Sequence, residues 1–237
     1  DLLSRSGRPS SQLGLTLRPV LLVTVTIGAL LMLEPDLGTV VIVVAIVASL
    51  LFFSGTRLDV LVGLGALGIA GIGWLSLSAD YRRQRILGML DPWTDPLNTG
   101  WQTIQAGVAV SSGGITGIGL GASRAKWGFL PFAHTDFIFA IVAEEWGLVG
   151  AGMVILAFLV IGFVGLSTAL KAPDQFGQLL AAGVTCWILV QAFVNIGAVL
   201  GVVPITGVPL PFVSSGGTAL VVTMAAYGIL LNIARQA

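Results

Sequence analysis

The stretch QFGQLLAAGVTCWILVQAFVNIGAVLGVVPITGVPLPFVSSGGTALVVTMAAYGILLNIA, residues 175–234, contains no Asp, Glu, Lys or Arg. A water-soluble domain carries roughly a quarter charged residues, whereas this 237-residue chain carries 9% and is 56% hydrophobic. Further charge-free runs cover 37–56, 60–79, 96–123 and 146–170. Roughly 20 apolar residues cross a hydrocarbon core as a helix, because the bilayer offers backbone N–H and C=O groups no partner but one another. The expected fold is therefore all-α, a polytopic integral membrane helical bundle. Pro204, Pro209 and Pro211 interrupt the quoted stretch before Ser214-Ser215-Gly216-Gly217. It reads as two spans, about 176–200 and 211–234, separated by non-helical backbone of the kind tolerated where it is buried in protein or lines a watery cavity.

Working outward, apolar windows place further spans at about 18–33, 37–55, 58–79 and 136–170, the last long enough to begin outside the bilayer. Residues 1–237 thus read as a single transmembrane domain. The segment 80–135 is too long for a plain connector. Its uncharged run from Gly100 to Val110 is expected as a re-entrant or interfacial helix. Lys and Arg beside span ends stay cytoplasmic. If the helices alternate, Arg5, Arg8, Arg18, Arg57, Lys171 and Arg235 share that side, which puts both ends of the segment inside and makes 80–135 a long extracytoplasmic loop. Asp136, Glu144 and Glu145 fall with most of the other acids on or near the outer face.

Eleven basic and eleven acidic residues cancel to zero net charge, so no basic surface points to nucleic acid. The single Cys186, inside an apolar run, builds neither a disulfide framework nor a metal cluster. The 32 glycines suit close backbone approach between membrane helices. No matching halves appear, which lowers the weight of a symmetric transporter. Chemistry on the outer face has no ready nucleotide supply, which disfavours ATP or nucleotide sugars.

Several motifs each carry two readings. Glu34-Pro35-Asp36 is a tight turn, with Pro35 ending one helix and Asp36 capping the next, or an acid pair lining an outward cavity. Asp91-Pro92-Trp93-Thr94-Asp95-Pro96 is a turn cluster, after which Gln102 and Gln105 share a helical face. Ser111-Ser112-Gly113-Gly114 with Gly117, Gly119 and Gly121 is a weak phosphate-loop pattern, since no strand precedes it and no Gly-Lys-Ser/Thr follows. Ser123-Arg124-Ala125-Lys126-Trp127 is an interfacial anchor, or a diphosphate clamp with Arg124 as a fork and Lys126 as a point charge. In His134-Thr135-Asp136 the chain's one histidine stands two residues from an acid. Either Thr135 caps a helix with Asp136 at its positive end, or Asp136 is a general base. Glu144 and Glu145 lie about 12 Å beyond Asp136 if the helix is unbroken, a depth at which acids are paired or functional. Gln191 and Asn195 share a face suited to interhelical hydrogen bonds. No metal-ligand set is legible.

These residues resemble the SEDS family of bacterial cell-wall proteins. The resemblance rests on Glu-Pro-Asp-Leu-Gly-Thr at 34–39, Asp-Pro then Gly-Trp-Gln at 95–102, Ser-Gly-Gly at 112–114, His-Thr-Asp-Phe-Ile-Phe-Ala at 134–140 with Glu144-Glu145, Asn195-Ile196-Gly197, and Pro-Leu-Pro-Phe-Val-Ser at 209–214. They occur in the family's order over nearly the whole chain. Residues 119–127 and 230–236 look more like the division member than the elongation member. The family's early helices, with a Pro-x-Glu and a Lys-bearing motif, have no counterpart before Asp1, so the chain is expected to hold the C-terminal six of about ten spans. Ser215 stands where the family has an aromatic.

The resemblance implies a glycosyltransferase that polymerises lipid II into glycan strands at the outer face of the bacterial cytoplasmic membrane, in septal wall synthesis. Its partners would be a class B penicillin-binding transpeptidase and other division or elongation proteins. Asp136 matches the family's essential outer-loop aspartate, and would deprotonate an acceptor hydroxyl in an inverting transfer. Arg124, Lys126, His134, Glu144, Gln102 and Ser214 are expected to bind substrate. A divalent cation, Mg or Mn, is expected beside the leaving diphosphate. The competing readings are a lipid II flippase, an elongation-type polymerase and a scaffold that recruits division proteins.

Overall fold

The structure, a computed structural model, describes Leu3 and residues 13–236, without the side chains of 13–16. Arg5 and Arg8, counted above among the basic flanks, lie outside the described residues. Eight α-helices follow in order: α1 Leu13–Leu33, α2 Leu37–Phe53, α3 Leu58–Leu77, α4 Asp80–Leu90, α5 Trp101–Gly113, α6 Ile138–Lys171, α7 Gln175–Val199 and α8 Gly217–Gln236. No strand occurs among the described residues, and the all-α expectation holds. Helices α3, α6, α7 and α8 are long and apolar enough to cross a membrane, and α2 is a shorter apolar helix. Of the four, α7 is 61% buried along its most apolar window against 22% or less for the others, so it is the core helix.

The chain divides into two compact units, residues 1–75, 161–190 and 225–237 in one, and 76–160 and 191–224 in the other. In the first, α1 and α2 are joined at Glu34-Pro35-Asp36. Asp36 caps α2 by accepting the Thr39 amide at 3.0 Å and the Thr39 hydroxyl, so this motif is the turn and cap of its first reading. Gly183 of α7 lies under Leu50 of α2, and the Cys186 thiol donates to the Ala45 carbonyl at 3.5 Å.

The second unit holds the candidate chemistry, and three expectations change within it. Segment 80–135, expected to carry one helix, carries two, α4 and α5. Asp80 sits in the first turn of α4, where the helix dipole favours an acid, and Pro92 ends that helix by restricting Asp91. The expected Gly100–Val110 helix is there as α5. Next, the expected helix over 136–170 starts at Ile138 and breaks at Gly147, whose φ of 65° and ψ of −157° lie outside helical space. There the Leu148 and Val149 amides leave the helical ladder for the Gly114 and Ile115 carbonyls, at 2.9 and 3.2 Å. A Cβ on Gly147 would stand 2.4 Å from the Gly117 nitrogen, so only glycine fits both the angle and the space. The remainder of α6, about 24 residues and roughly 36 Å, still suffices for a bilayer. Finally, the helix expected from 211 starts at Gly217, because Ser214 and Ser215 are held by hydrogen bonds to the turn before α6.

Candidate active site

The turn 132–137 leading into α6 is built by local backbone bonds, the Asp136 amide donating to the Phe132 carbonyl at 3.0 Å. Thr135 does not cap α6: its hydroxyl donates back to the Phe132 carbonyl at 3.2 Å, and the helix begins beyond Asp136. What fixes the turn is a set of donors from distant sequence. The Ser215 amide and hydroxyl reach the His134 carbonyl at 3.1 and 2.9 Å. The Ser214 hydroxyl donates to the Thr135 carbonyl at 2.6 Å while accepting the Leu210 amide at 2.7 Å. The Asn195 amide donates to the Asp136 carbonyl at 2.7 Å and to the Val208 carbonyl at 2.8 Å. Gln191, one turn earlier on α7, donates to Pro209 at 2.9 Å. Three successive carbonyls are thus pinned, and the side chain of Asp136 is aimed by its own backbone. Phe137 and Phe139, both 1% exposed, anchor the same turn in the core.

The Asp136 carboxylate is half-buried, and burial pushes its pKa above the ordinary carboxylate value, against the opposing pull of the Thr135 hydroxyl and of the Arg85 and His134 charges. Gly207, at φ +76°, lies beside it: a Cβ there would be 3.7 Å from Oδ2. The same strip holds Arg85, whose guanidinium donates to the Ile205 carbonyl at 3.2 Å. Arg85 comes from α4 and, with Arg82, packs its charge over the Tyr81 ring at 5.9 and 5.4 Å. The sequence reading missed Arg85. The available signal was its spacing of three from Arg82, which places both on one face of a helix.

A second cluster lies around Glu144 and Glu145. The Glu144 carboxylate, 4% exposed, accepts the Ser123 hydroxyl and the Arg124 and Ala125 amides at 3.2 and 3.3 Å. Glu145 accepts the Ser123 amide at 3.2 Å and pairs with Lys126 at 2.9 Å. The two acids therefore fold the 118–127 loop onto the start of α6. Arg124 stays exposed, and no hydrogen bond or ion pair ties its guanidinium among the described residues. It lines a pocket of about 610 Å³ together with Gln105, Ser112, Phe129 and Glu144.

The predicted site residues therefore separate. Asp136, His134 and Ser214 meet at the turn, whereas Arg124 and Glu144 share the pocket, whose lining includes neither Asp136 nor Gln102. Gln102 is half-buried on α5, one turn before the pocket-lining Gln105. Lys126 is engaged by Glu145, and the Ser214 hydroxyl is spent on backbone in both directions. Among the described residues no three His, Cys, Asp or Glu side chains gather as a metal-ligand group.

Comparison with known proteins matches residues 2–237 to the FtsW/RodA/SpoVE family, described as cell cycle protein. The chain is 43% identical to stage V sporulation protein E of Bacillus subtilis, over 92% of this chain and 59% of that protein. It is 43% identical to the probable peptidoglycan glycosyltransferase FtsW of Geobacter metallireducens, over 92% and 58%, and 42% identical to the FtsW of the same description from Mycobacterium tuberculosis, over 92% and 42%. It thus spans three fifths or less of the length of these relatives. Two solved structures share its fold. One is a chain of a peptidoglycan synthase complex that coordinates polymerization and crosslinking, with a TM-score of 0.71 and 34% identity over 91% of this chain and 60% of that one. The other is the rod shape-determining protein RodA of Thermus thermophilus in an aspartate-to-alanine form, with a TM-score of 0.63 and 27% identity over 92% and 56%. Family pattern, helical fold and span-length apolar helices agree over nearly the whole length, and this multi-pass membrane chain belongs to the FtsW/RodA/SpoVE family, the SEDS proteins.

Proposed function

We propose that the chain is the catalytic part of a peptidoglycan glycosyltransferase that polymerises lipid II at the outer face of the bacterial cytoplasmic membrane, in septal wall synthesis. The observation that carries this reading is Asp136: a half-buried carboxylate, its pKa raised, on a turn whose three successive carbonyls are pinned. A general base must be positioned first and tuned second, and this one is both. The names of the relatives support the reaction class. The outer placement of the Asp136 turn is supported by Lys171 and Arg235, which lie in the last turns of α6 and α8, since basic residues beside span ends stay cytoplasmic.

In the proposed step, the Asp136 carboxylate takes the proton of an acceptor 4-hydroxyl on lipid II as that oxygen attacks the anomeric carbon of the growing strand. The bond from that carbon to the diphosphate oxygen breaks, its electron pair leaves with the lipid diphosphate, and the anomeric centre inverts. His134, exposed beside Asp136, is placed to meet the acceptor sugar. Ser214 and Asn195 act on the backbone of the turn, as positioning residues. The Arg124 pocket, which also holds the Glu144 carboxylate, suits the head group of the acceptor lipid II, with Gln105 and Ser112 as polar contacts. Glu144 and Lys126 shape that pocket through the loop, and Gln102 extends the polar face of α5. A divalent cation, Mg or Mn, is kept as a proposal from substrate chemistry alone. Magnesium takes few protein ligands and travels with phosphates, and among the described residues no protein-only metal site forms. A class B penicillin-binding transpeptidase and other division or elongation proteins are the proposed partners, the first supported by the synthase complex whose chain shares this fold.

The test uses the full-length protein with its transpeptidase partner, supplied with lipid II in detergent and in vesicles. Glycan strands are expected from the wild type. Transfer of lipid II across the vesicle bilayer with no polymer formed would establish the flippase reading in its place.

A further inference from the structure

The reaction proposed above needs two charges of opposite sign on opposite sides of one carbon. The base takes a proton from the attacking oxygen, and a cation must meet the oxygen that leaves. In an in-line displacement these two groups are held about 10 Å apart, the sum of two hydrogen bonds, one near-attack distance and one C–O bond. Neither cation predicted from the sequence suits this place. Lys126 is paired with Glu145, and Arg124 lines a pocket that it shares with the Glu144 carboxylate and whose walls do not include Asp136.

Arg85 does suit it. It and Asp136 border one backbone strip, Arg85 at Ile205 and Asp136 at Gly207, and no ion pair joins the two at 4.0 Å or less. A gap is therefore kept between them. It is kept by the protein: one guanidinium N–H is tied to the Ile205 carbonyl at 3.2 Å, and two residues on, Gly207 passes beside Asp136 Oδ2 without a side chain to fill the space. A guanidinium has five N–H donors, so the Ile205 bond leaves the fork free to take two phosphate oxygens. The guanidinium carbon also lies over the Tyr81 ring, 5.9 Å from its centroid. The arrangement joins α4, the 204–207 strip and the turn before α6, which are three elements far apart in sequence.

We propose that Arg85 is the leaving-group cation of the site, its guanidinium receiving the departing diphosphate oxygen while Asp136 receives the proton, with the anomeric carbon in the gap between them. This rests on the glycosyl-transfer reading of the site. In the step, the O4–C1 bond forms, the C1–O bond to diphosphate breaks, the electron pair goes to the diphosphate oxygen facing Arg85, and the proton goes to the Asp136 carboxylate.

The experiment measures lipid II polymerisation by full-length protein with its transpeptidase partner, for the wild type, Arg85→Gln, Arg85→Lys and Asp136→Asn, with inorganic pyrophosphate as the inhibitory probe. Arg85→Gln is expected to lower kcat about a hundredfold with KM within threefold, and to weaken pyrophosphate inhibition at least tenfold. Arg85→Lys keeps the charge and a donor for Ile205, and is expected to recover at least tenfold of that kcat loss. Asp136→Asn is expected to lose polymerisation while binding pyrophosphate as the wild type does. Arg85→Gln within twofold of wild-type kcat, with Asp136→Asn inactive, overturns the role of Arg85 and leaves the base in place. Equal losses in Arg85→Gln and Arg85→Lys, accompanied by matching falls in thermal stability, also overturn it, since that is what a purely structural arginine gives. Polymerisation by Asp136→Asn at the wild-type rate overturns the glycosyl-transfer reading and this inference with it.

Discussion

Removing the Asn195 side chain tests whether the clamp on the 134–136 carbonyls aims the carboxylate or only holds the fold. Asn195 is 2% exposed, and its amide serves the Asp136 and Val208 carbonyls at 2.7 and 2.8 Å. Asn195→Ala leaves both acceptors without that donor. An unsatisfied buried acceptor costs about 1–3 kcal/mol. Val208 is buried and Asp136 only half so, which puts the sum at about 2–4 kcal/mol. Ser214→Ala removes the donor to Thr135 and the acceptor of the buried Leu210 amide, for about 2–3 kcal/mol by the same rule. The two side chains act on adjacent carbonyls of one turn, so their effects on catalysis are coupled. Each single variant is expected to lose about 10- to 100-fold in kcat, since a misplacement of about 1 Å costs that much. The double variant should fall no more than threefold below the worse single one, because the aim is already lost. The assay pairs lipid II polymerisation kinetics with denaturant unfolding in detergent. Unfolding losses of the stated size with kcat within twofold of wild type would refute the aiming role, and full additivity of the logarithms of kcat would refute the coupling.

The pH dependence of kcat follows from the same residue. A general base works deprotonated, so activity should fall as pH drops through the Asp136 pKa, with a midpoint above the ordinary carboxylate range because burial disfavours the charge; a midpoint at the ordinary value contradicts the burial argument. The linkage has the opposite sign for stability. A carboxylate with a raised pKa binds more protons folded than unfolded, so it costs stability as pH rises through that window, and Asp136→Asn should unfold no earlier than the wild type at neutral pH. Gly147→Ala forces a positive φ and a Cβ 2.4 Å from the Gly117 nitrogen, and should cost about 3 kcal/mol or more in thermal unfolding, with the 114–118 backbone newly open to protease. Glu144→Ala removes the acceptor of the Ser123 hydroxyl and of two loop amides, about 3 kcal/mol in all. Glu144→Gln, which keeps an acceptor oxygen, should recover most of it by the same measurement.

The membrane fold was legible because its cause is compositional: long apolar runs without charge satisfy their backbone inside a bilayer as helices or closed barrels, and the runs at 60–79, 146–170 and 175–234 coincide with apolar helices of spanning length. Helices α2, α3 and α7 start and end within two residues of the expected spans. The proposal of Asp136 as base has a local signal in the sequence, an acid two residues from the one histidine at the edge of an apolar run. Arg85 carries no comparable local signal. Its segment, DYRRQRILGML, is too charged to show the apolar pattern of a span, and its one hydrogen bond to distant backbone reaches Ile205, 120 residues away. Glu144 and Glu145 were read by depth along an unbroken helix, whereas the break at Gly147 and the folding back of 118–127 give them partners. Among so many glycines, only tertiary contact distinguishes the one that breaks α6. Ser214 is expected from the sequence to bind substrate, whereas its hydroxyl is turned to the backbone, donating to Thr135 and accepting from Leu210.

The central claim is that Asp136 is the base of glycosyl transfer, and the most direct test is the single-turnover rate of glycan formation by full-length Asp136→Asn protein, with its partner and saturating lipid II, beside the wild type at equal folded concentration. The account predicts polymer from the wild type and a rate at least a hundredfold lower from Asp136→Asn, with lipid II still bound. Polymer formation at the wild-type rate by Asp136→Asn would contradict it.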